Sequence, residues 1–136
     1  MPKEVSAGAV VFRRDKGIKY LILHYEAKHW DFPKGNVEAG EEEKATVKRE
    51  VEEETGIKEI NFVEGFEEKI SYFYKKEGQT IYKEVVFYLA ETKEKEVKLS
   101  FEHIGYEWLD YEKALERLTF KNAKQILEKA NKFLTK

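Results

Sequence analysis

The stretch GNVEAGEEEKATVKREVEEETGI, Gly35 to Ile57, constrains this chain more than any other, because Glu50, Glu52, Glu53 and Glu54 crowd in just before a Thr-Gly pair. Glu42 and Glu43 suit the positive N-terminal end of a helix, and Gly56 stands where a left-handed residue closes one. The spacing predicts a helix over residues 42–55. On it Glu50, Glu53 and Glu54 fall at i, i+3 and i+4, on one side and within about one turn. Each like-charge pair at that spacing costs about 0.2–0.5 kcal/mol, and carboxylates in the last turn also oppose the helix dipole. Local helix stability does not select this pattern.

Two readings account for it. The chain uses Glu and Lys freely, so the helix can present a solvated charged face on which Arg49 pairs with Glu52 or Glu53. Alternatively, a hard divalent cation, magnesium or manganese, takes carboxylate oxygens and offsets the repulsion when it binds. Glu52 points elsewhere on the helix and belongs to surface pairing. Gly35 and Gly40 permit tight turns in the preceding loop, which leaves Lys34 available to a phosphate group.

Around this segment the chain alternates strand-like and helix-like patterns. Residues 5–12 and 19–25 are apolar, strand-like runs separated by Arg14-Asp15-Lys16-Gly17, and residues 28–40, with His29, Trp30, Pro33 and two glycines, read as a loop. Downstream, residues 59–74 and 80–91 have strand composition around a turn at 75–79, and residues 96–101 and 105–109 are shorter strand candidates. Asp110 can cap a short helix containing Ala114, Leu115 and Leu118. Ala123, Ile126, Leu127, Ala130, Phe133 and Leu134 recur at helical spacing. The expected fold class is α/β or α+β, in one domain of residues 1–136.

Composition narrows the functional classes. Lys and Arg number 25 against 27 Asp and Glu, a formal charge of −2, which argues against broad binding to nucleic acid or membrane surfaces. With no cysteine there are no disulfides or thiolate metal sites. The N-terminal run lacks the length and flanks of a signal peptide, and no stretch approaches the roughly 20 apolar residues of a membrane span, so the cytoplasm is the expected location. Abundant Lys and Glu with a single Met resemble the composition of heat-adapted proteins.

Taken together, Gly35, Glu41, Arg49, Glu50, Val51, Glu53, Glu54, Gly56 and Ile57 match every specified position of the Nudix box, G-x5-E-x7-R-E-U-x-E-E-x-G-U with U apolar. The chain therefore resembles the Nudix hydrolases, which implies an α/β/α sandwich with a mixed central sheet. In that family the box is a loop-helix-loop. The resemblance implies that Glu50, Glu53 and Glu54 bind magnesium, that Arg49 orients them, and that Glu41 is structural.

The segment HWDFPKGNVEAGE is similar to its counterpart in the asymmetrical diadenosine tetraphosphate hydrolases, through Trp30, Pro33, Lys34 and Gly35. The related RNA 5′-pyrophosphohydrolases commonly carry PQGG where this chain has Pro33-Lys34-Gly35-Asn36. Residues 82–90, Glu102-His103 and residues 106–109 extend the likeness to that subgroup. It implies an adenine-stacking role for Tyr72, a second aromatic wall at Phe120, and phosphate contacts from His29, Lys34 and Lys83. Glu102 takes a further metal-binding or water-activating role, while His103 stays outside the catalytic set.

The implied reaction is magnesium-dependent hydrolysis of diadenosine tetraphosphate to ATP and AMP, with Glu53 or Glu102 accepting a proton from water. Hydrolysis of a nucleoside triphosphate, of ADP-ribose or of an RNA 5′ end are the enzymatic alternatives. A non-catalytic nucleotide-binding module is another, set against the intact glutamates.

Overall fold

The computed structural model describes residues 2–136. In chain order the elements are β1 (Lys3–Arg14), β2 (Ile18–Tyr25), β3 (Trp30–Asp31), β4 (Lys34–Asn36), α1 (Glu43–Thr55), β5 (Asn61–Lys76), β6 (Gln79–Glu91), β7 (His103–Leu109), α2 (Tyr111–Arg117) and α3 (Lys121–Leu134). The hydrogen-bonded order is β3-β2-β1-β6-β5, with β4 on β1 and β7 on β2. β1 and β6 run parallel and the other pairs antiparallel, so the sheet is mixed as expected.

β1 explains why the sheet must be covered twice. Ser6 to Phe12 are all buried, and alternation sends their side chains to opposite faces. Val10 and Phe12 pack with Ile22, Phe87 and the apolar stripe of α3, Ala123, Ile126, Leu127 and Ala130. Ala7, Ala9 and Val11 pack with Val47 and Val51 of α1 and with Ile57. Helices α2 and α3 thus cover one face and α1 the other, giving the α/β/α sandwich.

The helix expected over residues 42–55 begins one residue later. Glu42 is its extended N-cap, and Gly56 closes it at φ 77° with its N–H on the Glu52 carbonyl. The last turn carries no basic residue. The turn expected at residues 75–79 is tighter, because Glu77 and Gly78 both take positive φ and let β5 and β6 pair up to Lys76↔Gln79.

Two expectations need correction. The 28–40 loop contains the short strands β3 and β4, whose two and three residues are too few to show a period. Residues 96–101 form no strand. Val97 and Leu99 do turn inward, but the backbone serves the end of α1: Lys98 N–H donates to Thr55 O at 2.8 Å and Ser100 N–H to Glu54 O at 3.3 Å. Carbonyls left open by the last helical turn take the donors that a sheet neighbour would have taken.

β2 pairs with β1 only across Phe12–Arg14 and Ile18–Tyr20, then diverges, and β4 lies along the vacated side of β1. This close approach depends on Gly8. A Cβ there would stand 2.6 Å from both Lys34 Cβ and the Pro33 carbonyl. Gly8→Ala is expected to destabilise the protein by about 1–3 kcal/mol, the usual cost of overpacking a filled site. A melting temperature equal to wild type would show that β4 yields freely.

Candidate active site

The site forms where β1 and β2 part, with β4 beneath the acidic face of α1. Gly35 of β4 lies so close to Glu50 that a Cβ at Gly35 would overlap the carboxylate. The box glycine is therefore a requirement of packing as well as of backbone turning.

Arg49 organises the carboxylates. Its Nε and Nη2 donate to the two oxygens of Glu41 at 2.8 and 3.0 Å, a bidentate pair, and Nη2 also donates to the Asn36 carbonyl at 3.0 Å. Nη1 donates to Glu50 Oε2 at 2.6 Å and, more distantly, to Glu53 Oε2 at 3.4 Å. With a longer ion pair from Nε to Glu38 at 3.6 Å, its carboxylate partners are Glu38, Glu41, Glu50 and Glu53, and Glu52 is not among them. Glu41 further accepts from Thr46 Oγ1 at 2.6 Å and from Glu38 N–H at 3.0 Å. These bonds, the arginine's first, hold its carboxyl down at about 2.

The three helix glutamates meet different surroundings. Glu54 is 6% exposed, whereas the Glu53 side chain is 59% exposed. Burial, then Glu50, then Glu102 push the Glu54 carboxyl up to about 10, opposed by the Lys34 backbone N–H. Glu54 Oε1 also lies 3.3 Å from His103 Nε2 and 3.4 Å from the Tyr25 hydroxyl, which donates chiefly to Phe32 O at 2.7 Å. Burial pushes the Tyr25 phenol up and the His103 imidazole down, which favours the neutral form of each beside Glu54. Ser100 Oγ at 2.9 Å from Nδ1 fixes the ring.

Glu50, Glu54 and Glu102 line one cleft of about 340 Å3, together with Lys34, Asn36 and Lys83. Glu53 lies outside that lining. Among the described residues no three His, Asp or Glu side chains stand, as placed, where together they could hold a metal ion. The donor set nevertheless fits a hard divalent cation. It is all oxygen, it brings a deeply buried carboxyl against two others, and the adjacent arginine is committed to Glu41 and Glu50.

A second, apolar pocket of about 210 Å3 adjoins this cleft, lined by Tyr72, Phe120, Ile70 and Phe87 with Asp31, Lys34 and Asn122. Tyr72 and Phe120, 48 residues apart in sequence, thus meet in one pocket, and Lys34 belongs to both spaces. The Lys34 ammonium is not wholly free, since it donates to buried Asp31 at 3.1 Å. Phe120 is placed by the α2–α3 connection, where Trp30 N–H donates to Thr119 Oγ1 at 2.8 Å and Thr119 N–H donates to Trp30 O at 3.2 Å. His29 lines neither space. It stacks on Tyr25 at 4.6 Å and faces Phe120 at 5.3 Å, and burial lowers its pKa.

Sequence reasoning missed Tyr25, Asp31 and Asn36, and set His103 aside. Tyr25 and His103 sit at strand ends, and the likeness at Glu102-His103 was the one signal that pointed to this corner.

The chain matches the NUDIX domain model over residues 2–130. It is 34% identical to the mouse asymmetrical bis(5′-nucleosyl)-tetraphosphatase, over 95% of this chain and 94% of that protein. The Caenorhabditis elegans enzyme of the same name is 33% identical over 95% of each. A crystal structure of a C. elegans Ap4A hydrolase binary complex superposes with a TM-score of 0.84 at 31% identity, covering 96% of this chain and 97% of that one. With the box complete, Glu50 and Glu54 brought to one cleft and relatives matched over about 95% of the chain, the chain belongs to the Nudix family of hydrolases.

Proposed function

We propose that the protein hydrolyses P1,P4-diadenosine tetraphosphate to ATP and AMP with magnesium, residues 1–136 working as one domain. The observation that carries this reading is Lys34, shared by the apolar pocket and the carboxylate cleft. A base between Tyr72 and Phe120 would lead its phosphate chain past Lys34 onto the glutamates, in the cleft that Lys83 also lines. The curated relatives that match the whole chain carry the same asymmetrical activity in their names.

Magnesium, when bound, screens the polyphosphate charge, polarises the attacked phosphorus and lowers the pKa of the attacking water. Glu50, Glu54 and Glu102 would hold it, with Glu53 completing the set from the exposed side. Arg49 keeps Glu50 oriented. Glu102 lines the cleft and accepts the proton from water; Glu53, tied to Arg49, is the second candidate for that base. With one end of the four-phosphate chain held by the base pocket and Lys34, the glutamates, fixed relative to that grip, would direct attack off its centre.

Three outcomes are expected. Products resolved by chromatography should be ATP and AMP in equal amounts, and in oxygen-18 water the label should enter AMP if attack is at the phosphorus nearest an adenosine. Two ADP molecules would defeat the asymmetrical assignment, and release of pyrophosphate from nucleoside triphosphates or RNA ends without cleavage of the dinucleotide would favour another Nudix activity.

In steady-state kinetics Tyr72→Ala should weaken substrate binding by about 1–3 kcal/mol, mainly through KM. Glu102→Gln should lower kcat by about 10²–10⁴. Unchanged constants in either folded variant would remove that residue from its role.

The third outcome concerns pH. The Glu54 carboxyl is raised from 4.5 to about 10 in the folded state, so between those values this group is protonated in the native state and ionised in the unfolded chain, and its contribution to stability is lost as pH rises. Stability in EDTA should therefore fall as pH rises through that window. Glu54→Gln should flatten the slope, and magnesium should raise the melting temperature of wild type more than that of the variant. A flat wild-type profile in EDTA would show that Glu54 ionises freely.

A further inference from the structure

Lys83 stands at the edge of the carboxylate cleft, but its ammonium is held from the other side. Nζ donates to Glu4 Oε1 at 3.2 Å and to Asn36 Oδ1 at 2.9 Å, and the side chain is 12% exposed. The strand register builds this directly. Glu4 of β1 and Tyr72 of β5 are the immediate neighbours of Lys83 on either side across the sheet.

Glu4 is in turn held by Tyr74, whose hydroxyl donates to the same Oε1 at 2.5 Å, with Lys76 Nζ 3.7 Å from Oε2. Asn36 Oδ1 also accepts from the buried Ser6 hydroxyl at 2.8 Å, while its carbonyl takes the Arg49 bond. Tyr74 lies 6.3 Å from Tyr72, ring to ring. A continuous set of bonds thus runs from the box arginine through Asn36, Lys83 and Glu4 to the tyrosine beside the base pocket.

We infer that Glu4, braced by Tyr74, is a positioning residue that aims Lys83 at a bound polyphosphate. An ammonium has three donors and no acceptor. Two are spent on Glu4 and Asn36, which fixes the direction of the third, and among the described residues that third donor has no partner. A lysine without such bracing spreads over many rotamers, and ordering it on binding costs affinity. An opposite charge can instead act as a competitor that draws Lys83 away from phosphate, and the two roles predict opposite signs. The inference rests on the reading of Lys83 as a phosphate contact, and the test separates the two.

Magnesium tripolyphosphate serves as the probe, because it needs neither a nucleobase nor turnover, with its Kd measured by isothermal titration calorimetry. Lys83→Ala should weaken binding about tenfold, the loss of one charge-assisted contact. Glu4→Ala should weaken it about three- to tenfold when Lys83 is present and leave it unchanged in the Lys83→Ala background. Glu4→Gln keeps an acceptor for both Tyr74 and Lys83 and should stay within about twofold of wild type, a rescue that general destabilisation does not produce. Tighter binding by Glu4→Ala, or additive losses in the double variant, would overturn the positioning role while leaving Lys83 as a contact. No effect of Lys83→Ala, or no binding to wild type, would instead remove the phosphate contact itself and the inference with it.

Discussion

Arg49 joins the parts of the molecule that have least reason to stay together. One planar guanidinium grips Glu41 with two donors, takes the Asn36 carbonyl, and steadies Glu50 and Glu53. The loop after β4, the strand itself and α1 are thereby fastened at one point. A lysine offers a single charge without the fork, so it cannot hold a bidentate carboxylate and orient others at once. Electrostatics and architecture meet in this residue, since the same bonds that close the loop also keep neighbouring carboxylates from driving the helix off the sheet.

The sheet supplies what Arg49 cannot. Where β2 leaves β1, β4 fills the gap with backbone close enough to require glycine at both Gly8 and Gly35. That close packing buries Glu54 in the wall of the cleft with Glu50 and Glu102 for company, and no positive side chain among the described residues neutralises it. Such crowding is costly in a bare protein and useful in one that takes a cation, because the binding free energy then includes relief of the repulsion. The apolar pocket is the complementary half. It is lined by residues of β5 and the start of α3 and shares Lys34 with the carboxylate cleft, so apolar and charged chemistry lie side by side.

Much of this was legible from short-range pattern. The span of α1 follows from Glu42, Glu43 and Gly56, the β5–β6 turn from Gly78, and β1 and β2 from their apolar, strand-like composition. The box residues were legible for the same reason. Most of them lie on one helix, where i, i+3 and i+4 spacing fixes which side chains share a face. Residues 96–101 misled because inward-facing Val97 and Leu99 alternate as they would in a strand, while their backbone donors go to the end of a helix. Alternation reports which side is buried, not which partner takes the hydrogen bonds.

The sequence by itself thus determined the acidic helix, its box and the strand-like runs around it, all set by spacing along short segments. Only the tertiary structure decided which glutamates share a cleft, that Tyr25 and His103 close on Glu54, that Tyr72 and Phe120 face one pocket, and that Glu4 braces Lys83. Those contacts join residues 29 to 79 positions apart. They depend on strand order, on the parallel register of β1 with β6 and on where β2 diverges. Periodicity encodes none of these, because a strand's alternation is the same whichever neighbour it pairs with.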